Sequence, residues 1–122
     1  MRVFDRMSPN PSAVRPQHTL AAAKALMDAE GLRHVTVVED GNLVGILSER
    51  DLRNHWGYLD RTSVDVAMTR NPITIPPAAH VADAARTLLY HRVGSLPVVS
   101  AGKVVGIITT TDLLKALLDV SA

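Results

Sequence analysis

The sequence predicts a mixed α/β fold, α+β in layout: two β-α-β-β-α repeats related by a pseudo-twofold axis, sheets packed together and helices outside. Three observations predict it. Sliding the chain on itself by 61 positions aligns residues 7–52 with 68–113 without a gap. Met7, Pro11, Val37, Val38, Gly41, Val44, Gly45, Ile46, Asp51 and Leu52 return as Met68, Pro72, Val98, Val99, Gly102, Val105, Gly106, Ile107, Asp112 and Leu113. Two copies of one supersecondary unit usually bury their apolar faces against each other. In each copy, two β-branched runs flank a short glycine-bearing turn, a hairpin pattern. Ahead of the second hairpin, Val81, Ala84, Ala85, Leu88 and Leu89 fall at helical spacing on one stripe. The division is repeat one at 1–59, a linker at 60–63 and repeat two at 64–122.

Each copy opens with a proline-bearing turn and a short extended piece, Ser12-Ala13-Val14 or Ile73-Thr74-Ile75, closed by Pro16 or Pro76-Pro77. A helix follows, weaker in copy one, where Leu20, Ala23 and Met27 form the stripe behind Thr19 as N-cap. The hairpins are His34 to Val38 with Leu43 to Leu47, and Ser95 to Val99 with Val104 to Ile108. Gly45 and Gly106 lie inside strands, where a missing side chain implies close backbone approach. A second helix starts at each Ser/Thr-x-x-Asp. It carries Leu52, His55, Trp56 and Leu59 in copy one, and Leu113, Leu114, Leu117 and Leu118 in copy two. Three strands with two helices on one face leave the other face bare, and the bare faces pair.

Composition narrows the functional classes. At 122 residues and 47 % hydrophobic content the chain can bury about two-thirds of its unfolded surface. It has no cysteine, hence no disulfide framework or thiolate metal site. The start MRVFDRMSPNP has no apolar core of a signal peptide, and no apolar run approaches the roughly 20 residues of a membrane span. A cytoplasmic location and no membrane partner are expected. Net charge is +1 with 3 % aromatics, which gives neither the charge nor the stacking platforms for nucleic acid.

No enzyme constellation is present. No serine sits in a G-x-S-x-G elbow, and His18, His34, His55, His80 and His91 show no H-x-x-x-H or H-E-x-x-H pairing for a metal. What remains is the doubled ending: Ser48-Glu49-Arg50-Asp51 and Thr109-Thr110-Thr111-Asp112. As capping boxes these start helices and nothing more. As a ligand site, the hydroxyl donates to phosphate beside helix-start amides, and the acid accepts from two ribose hydroxyls. The pattern alone admits both readings.

The chain resembles the CBS-domain family, and a tandem pair of such repeats, a Bateman module, covers essentially all of it. The resemblance rests on Asp5-Arg6-Met7-Ser8 and Asp65-Val66-Ala67-Met68-Thr69, on Ser95-Leu96-Pro97-Val98-Val99, and on the two Gly-x-x-Ser/Thr-x-x-Asp endings. It implies two clefts between the repeats and regulatory adenosyl ligands: AMP, ADP, ATP, S-adenosylmethionine or NAD. It implies no required cofactor and no catalysis. Carried over position by position, Asp51 and Asp112 are the ribose-binding acids, and Ser48 and Thr109 the hydroxyls. Arg50 and Thr111 reach toward phosphates. Ser12, Val14, Thr74 and Ile75 lie around the first strand that borders the base, Val35 and Leu96 meet adenine, and His34, Ser95 and Pro97 are further ligand-binding positions.

The copies are chemically unequal. Copy one places Arg33, His34 and Arg50 near its cleft; copy two places Ser95, Thr110 and Thr111 there, with charge from Arg92 or Arg70 nearby. Charge-assisted hydrogen bonds are about twice as strong as neutral ones, so the cleft of Asp51 is expected to take the more phosphorylated ligand. Thr36 stands where copy two has Pro97, which changes one wall of that cleft. The apolar surplus of the last helix, with the resemblance, leads to the expectation of a C2 homodimer. With no fused enzyme or transporter in this sequence, output is expected to act on a separate effector protein or through a change in the chain's own assembly. The alternative is a ligand-free dimerisation or protein-interaction module.

Overall fold

The computed structural model describes residues 1–121. The chain forms two units. One comprises Ser12–Pro72; the other combines Met1–Pro11 with Ile73–Ala122.

In the Ser12–Pro72 unit the sheet order is β2 (Ala13–Val14), β3 (His34–Glu39), β4 (Asn42–Ser48), β5 (Thr69–Arg70). β2 runs parallel to β3, and β4 is antiparallel to both of its neighbours. The Asp40-Gly41 turn has positive φ at both residues, as a hairpin whose twist matches its strands requires. α2 (Leu20–Glu30) is capped by Thr19, whose hydroxyl accepts from the Ala22 N–H, and ends on left-handed Gly31. Its Leu20, Ala23 and Met27 bury against Val35, Val37, Leu47 and Leu52.

The second unit has the order β1 (Ser8–Pro9), β7 (Lys103–Thr109), β6 (Ser95–Ser100). Its core joins Val3 to Ile75, Ala84, Leu88, Leu96, Val98 and Ile108. α5 (Val81–His91) and α6 (Thr110–Ser121) flank this sheet, and α1 (Val3–Arg6) is tied to α6 by the Arg6–Asp119 ion pair.

Four features depart from the sequence expectation. The opening of each repeat contains a one-turn helix, α1 or α4 (Val64–Ala67), and a two-residue strand, β1 or β5, that completes the sheet of the other repeat's hairpin. These strands need Gly106 and Gly45. A Cβ on Gly45 would lie 2.9 Å from the Thr69 carbonyl oxygen, and one on Gly106 3.0 Å from that of Ser8, in each case against a methionine, Met68 or Met7. The expected strand Ile73–Ile75 is only a bridge from Ile75 to Val98. Pro97 has no N–H to extend the ladder, whereas Thr36 keeps one and pairs with Ala13. Finally, the second helix of copy one, α3 (Glu49–Arg53), stops after five residues; His55, Trp56 and Leu59 lie in turns around Gly57, whose φ is 96°. No described helix is long and apolar enough to cross a membrane.

Candidate functional site

Both doubled endings sit where the last strand of a hairpin hands over to a helix. In the Ser12–Pro72 unit, the Ser48 N–H donates to Asp51 Oδ2 at 2.8 Å and the Asp51 N–H donates to Ser48 Oγ at 3.2 Å. In the other unit, the Thr109 N–H donates to Asp112 Oδ2 at 2.8 Å and the Asp112 N–H to Thr109 Oγ1 at 3.3 Å. The capping reading of these residues therefore holds. It uses one oxygen of each carboxylate; Oδ1 of Asp51 and of Asp112 has no hydrogen-bond partner among the described residues. Capping fixes the half-buried carboxylate and leaves one acceptor oxygen unused beside the strand.

The strands bring further candidates to the same place. His34 pairs across the sheet with Ser48, and Val35 with Leu47. Ser95 pairs with Thr109, and Leu96 with Ile108. Strand start and helix start are tied by the Glu49 N–H donating to the Arg33 carbonyl at 2.8 Å, and in the other unit by the Thr110 N–H donating to that of Gly94 at 3.2 Å. Arg33, His34, Ser48, Arg50 and Asp51 thus gather at one end of the first hairpin; Ser95, Thr109, Thr111 and Asp112 gather at the matching end of the second.

Other candidates take a different role. The side chains of Val14, Val35, Ile75 and Leu96 belong to the cores, so any ligand contact from them comes through backbone groups. Thr74 is exposed and Pro97 is buried. Arg70, expected near the second ending, lies in β5 opposite Gly45 in the Ser12–Pro72 unit.

The electrostatics of the two endings differ. Arg33 and Arg50 form no ion pair among the described residues, so their charge is uncommitted. Because α3 has only five residues, its dipole adds little, and positive potential there rests on these side chains. Burial pushes the His34 imidazole below its ordinary pKa of about 6.5, opposed by the Asp51 carboxylate. In the second ending the Thr109 hydroxyl donates to Asp112 Oδ2 at 3.1 Å, whereas Ser48 Oγ only accepts and keeps its proton for another partner.

One contact escaped sequence reasoning. Ser12 Oγ donates to both Glu30 oxygens, at 2.7 and 2.9 Å, while the buried Thr36 hydroxyl donates to the Ser12 carbonyl at 3.3 Å. Copy two has Ile73, His91 and Pro97 at these three positions, so this polar network belongs to the first copy. Thr36 in place of proline was the one local signal; nothing in linear spacing joins Ser12 to Glu30. No three His, Asp or Glu side chains gather to hold a metal among the described residues.

A family model described as CBS domain matches residues 3–57 and 63–119. Inosine-5'-monophosphate dehydrogenase of Staphylococcus aureus is 36 % identical over 111 residues, 88 % of this chain but 22 % of that protein. Among solved structures, that of CBSX2, a CBS-pair protein of Arabidopsis thaliana, in complex with AMP is 30 % identical, with TM-score 0.88 over 99 % of this chain and 98 % of that one. The CBS domain pair of protein MJ0100 in complex with 5'-methylthioadenosine and S-adenosyl-L-methionine is 25 % identical, with TM-score 0.90 over 100 % of this chain and 98 % of that one.

Proposed function

The chain belongs to the CBS-domain family, with two tandem repeats, and on that premise we propose that it is a regulatory sensor of adenosyl ligands which signals to a separate protein. The observation that carries this reading is the fixed carboxylate with an unused oxygen at the end of a hairpin, present twice. Such an acceptor suits a ribose diol. Similar proteins holding AMP, and 5'-methylthioadenosine with S-adenosyl-L-methionine, support the adenosyl class.

Ligand preference follows local charge. Asp51 anchors the ribose of the more phosphorylated ligand, with Arg50 and Arg33 toward its tail, while Asp112 serves a monophosphate or neutral-tailed one. Titration of ATP and adenosine into the Arg50→Ala variant tests this. ATP affinity falls about tenfold, the worth of one charge-assisted hydrogen bond, and adenosine affinity stays within about twofold. Equal losses for both ligands contradict the assignment.

The module works as a C2 homodimer in the cytoplasm. Support comes from an open apolar groove of about 490 Å³ between α5 and α6, lined by Ala85, Leu88, Leu89, Leu113, Leu114 and Leu117. Leu89 is 79 % exposed and Leu117 61 %, more apolar surface than a helix pair leaves in water without a partner. The same groove favours a second reading, a ligand-free interaction module in which the boxes only cap helices. Absence of any nucleotide-induced thermal shift selects it.

A further inference from the structure

At the hairpin end of the first site stands a group that can change its charge near neutral pH; the matching position of the second holds a serine. His34 opens β3 opposite Ser48, where the second site has Ser95 opposite Thr109. The charged groups acting on the imidazole are Asp51 and Glu49 of α3 and Arg33 of the turn before β3. β4 presents Ser48 across from it, and β2 contributes Ala13 and Val14 to the sheet; none of these side chains titrates. The imidazole therefore sits half-buried within a cluster of one uncommitted arginine, two carboxylates and a hydroxyl.

We infer that His34 makes the first site proton-linked: an adenosyl ligand with a phosphate tail binds together with a proton on His34, and one with an uncharged or cationic tail does not. The inference rests on the adenosyl reading of this site. Desolvation keeps the imidazole neutral at pH 7 when the site is empty. A phosphate brings a charge of about −1.5 to −2 beside it, which favours the imidazolium and raises its pKa. The sign follows from linkage: the bound-state pKa exceeds the free one, so affinity grows as pH falls from the bound pKa toward the free pKa, which lies below about 6.5. One linked proton changes affinity by at most about tenfold per pH unit.

Titration calorimetry with ADP from pH 6 to 8, in two phosphate-free buffers of different ionisation enthalpy, tests this on the full chain. The wild type takes up part of a proton at pH 7 and binds about three- to tenfold tighter at pH 6.5 than at 7.5. His34→Gln loses this uptake and keeps only the shallow dependence of the phosphate itself, whose second pKa is about 6. His34→Lys, charged throughout this range, binds ADP without that pH dependence. Adenosine shows no linked proton in any variant. ADP binding with equal proton uptake in wild type and His34→Gln overturns the inference and leaves the adenosyl reading standing. No binding of ADP or adenosine at any pH overturns both.

Discussion

The proposed function sets Asp51 and Asp112 two demands on one carboxylate each. One oxygen closes a capping box, and the other has no partner among the described residues. The demands are separable by substitution. Ser48→Ala removes an acceptor at the start of α3 and costs about 1 kcal/mol by chemical denaturation. Asp51→Ala loses a similar amount of stability but also the charged acceptor, and weakens adenosyl binding at its site roughly tenfold or more. The sequence made both aspartates legible because capping and ribose binding use the same spacing. It could not show that capping occupies one oxygen only, which the hydrogen-bond geometry reveals. Gly106→Ala is the matching test of close approach: the new methyl meets the Ser8 carbonyl and Met7, and destabilisation of about 1–3 kcal/mol follows. Full stability in that variant contradicts the packing.

Among the elements, α2, α5, both hairpins and α6 were readable from periodicity and turn chemistry. α3 was not. Leu52, His55, Trp56 and Leu59 keep helical spacing, yet Gly57 at positive φ breaks the run, and Leu52 alone of the four is buried within the helix. β1 and β5 were missed because two-residue strands carry no pattern of their own; they exist through pairing with β7 and β4. Thr36 and Pro97 show the reverse case, one side chain deciding a ladder. Thr36→Pro removes the N–H and the buried hydroxyl bonded to Ser12, and lowers stability by about 1–3 kcal/mol. For the α5–α6 groove the outcome to expect is loss of assembly. Leu117→Glu places a charge on its lining and converts a dimer to a monomer at micromolar concentration, read by sedimentation. A wild type that is already monomeric there contradicts the dimer.

At the scale of the molecule, a 61-residue repeat gave the fold class, and the departures between copies gave the proposed inequality of the two sites. What linear sequence could not show is that each repeat lends its opening turn and short strand to the sheet of the other, because those contacts join residues as distant as Ser8 and Ile107. The ligand proposed for this repeat is an adenosyl compound held on Asp51 and Asp112. A thermal-unfolding series with AMP, ADP, ATP, S-adenosylmethionine and NAD tests it most directly, run on wild type and on the Asp51→Ala/Asp112→Ala double variant. At 100 times its dissociation constant a ligand adds about 2.7 kcal/mol, a rise of several degrees for a domain of this size. At least one of the five is expected to raise the wild-type midpoint, and none that of the double variant. No shift in the wild type, or an equal shift in both proteins, contradicts it.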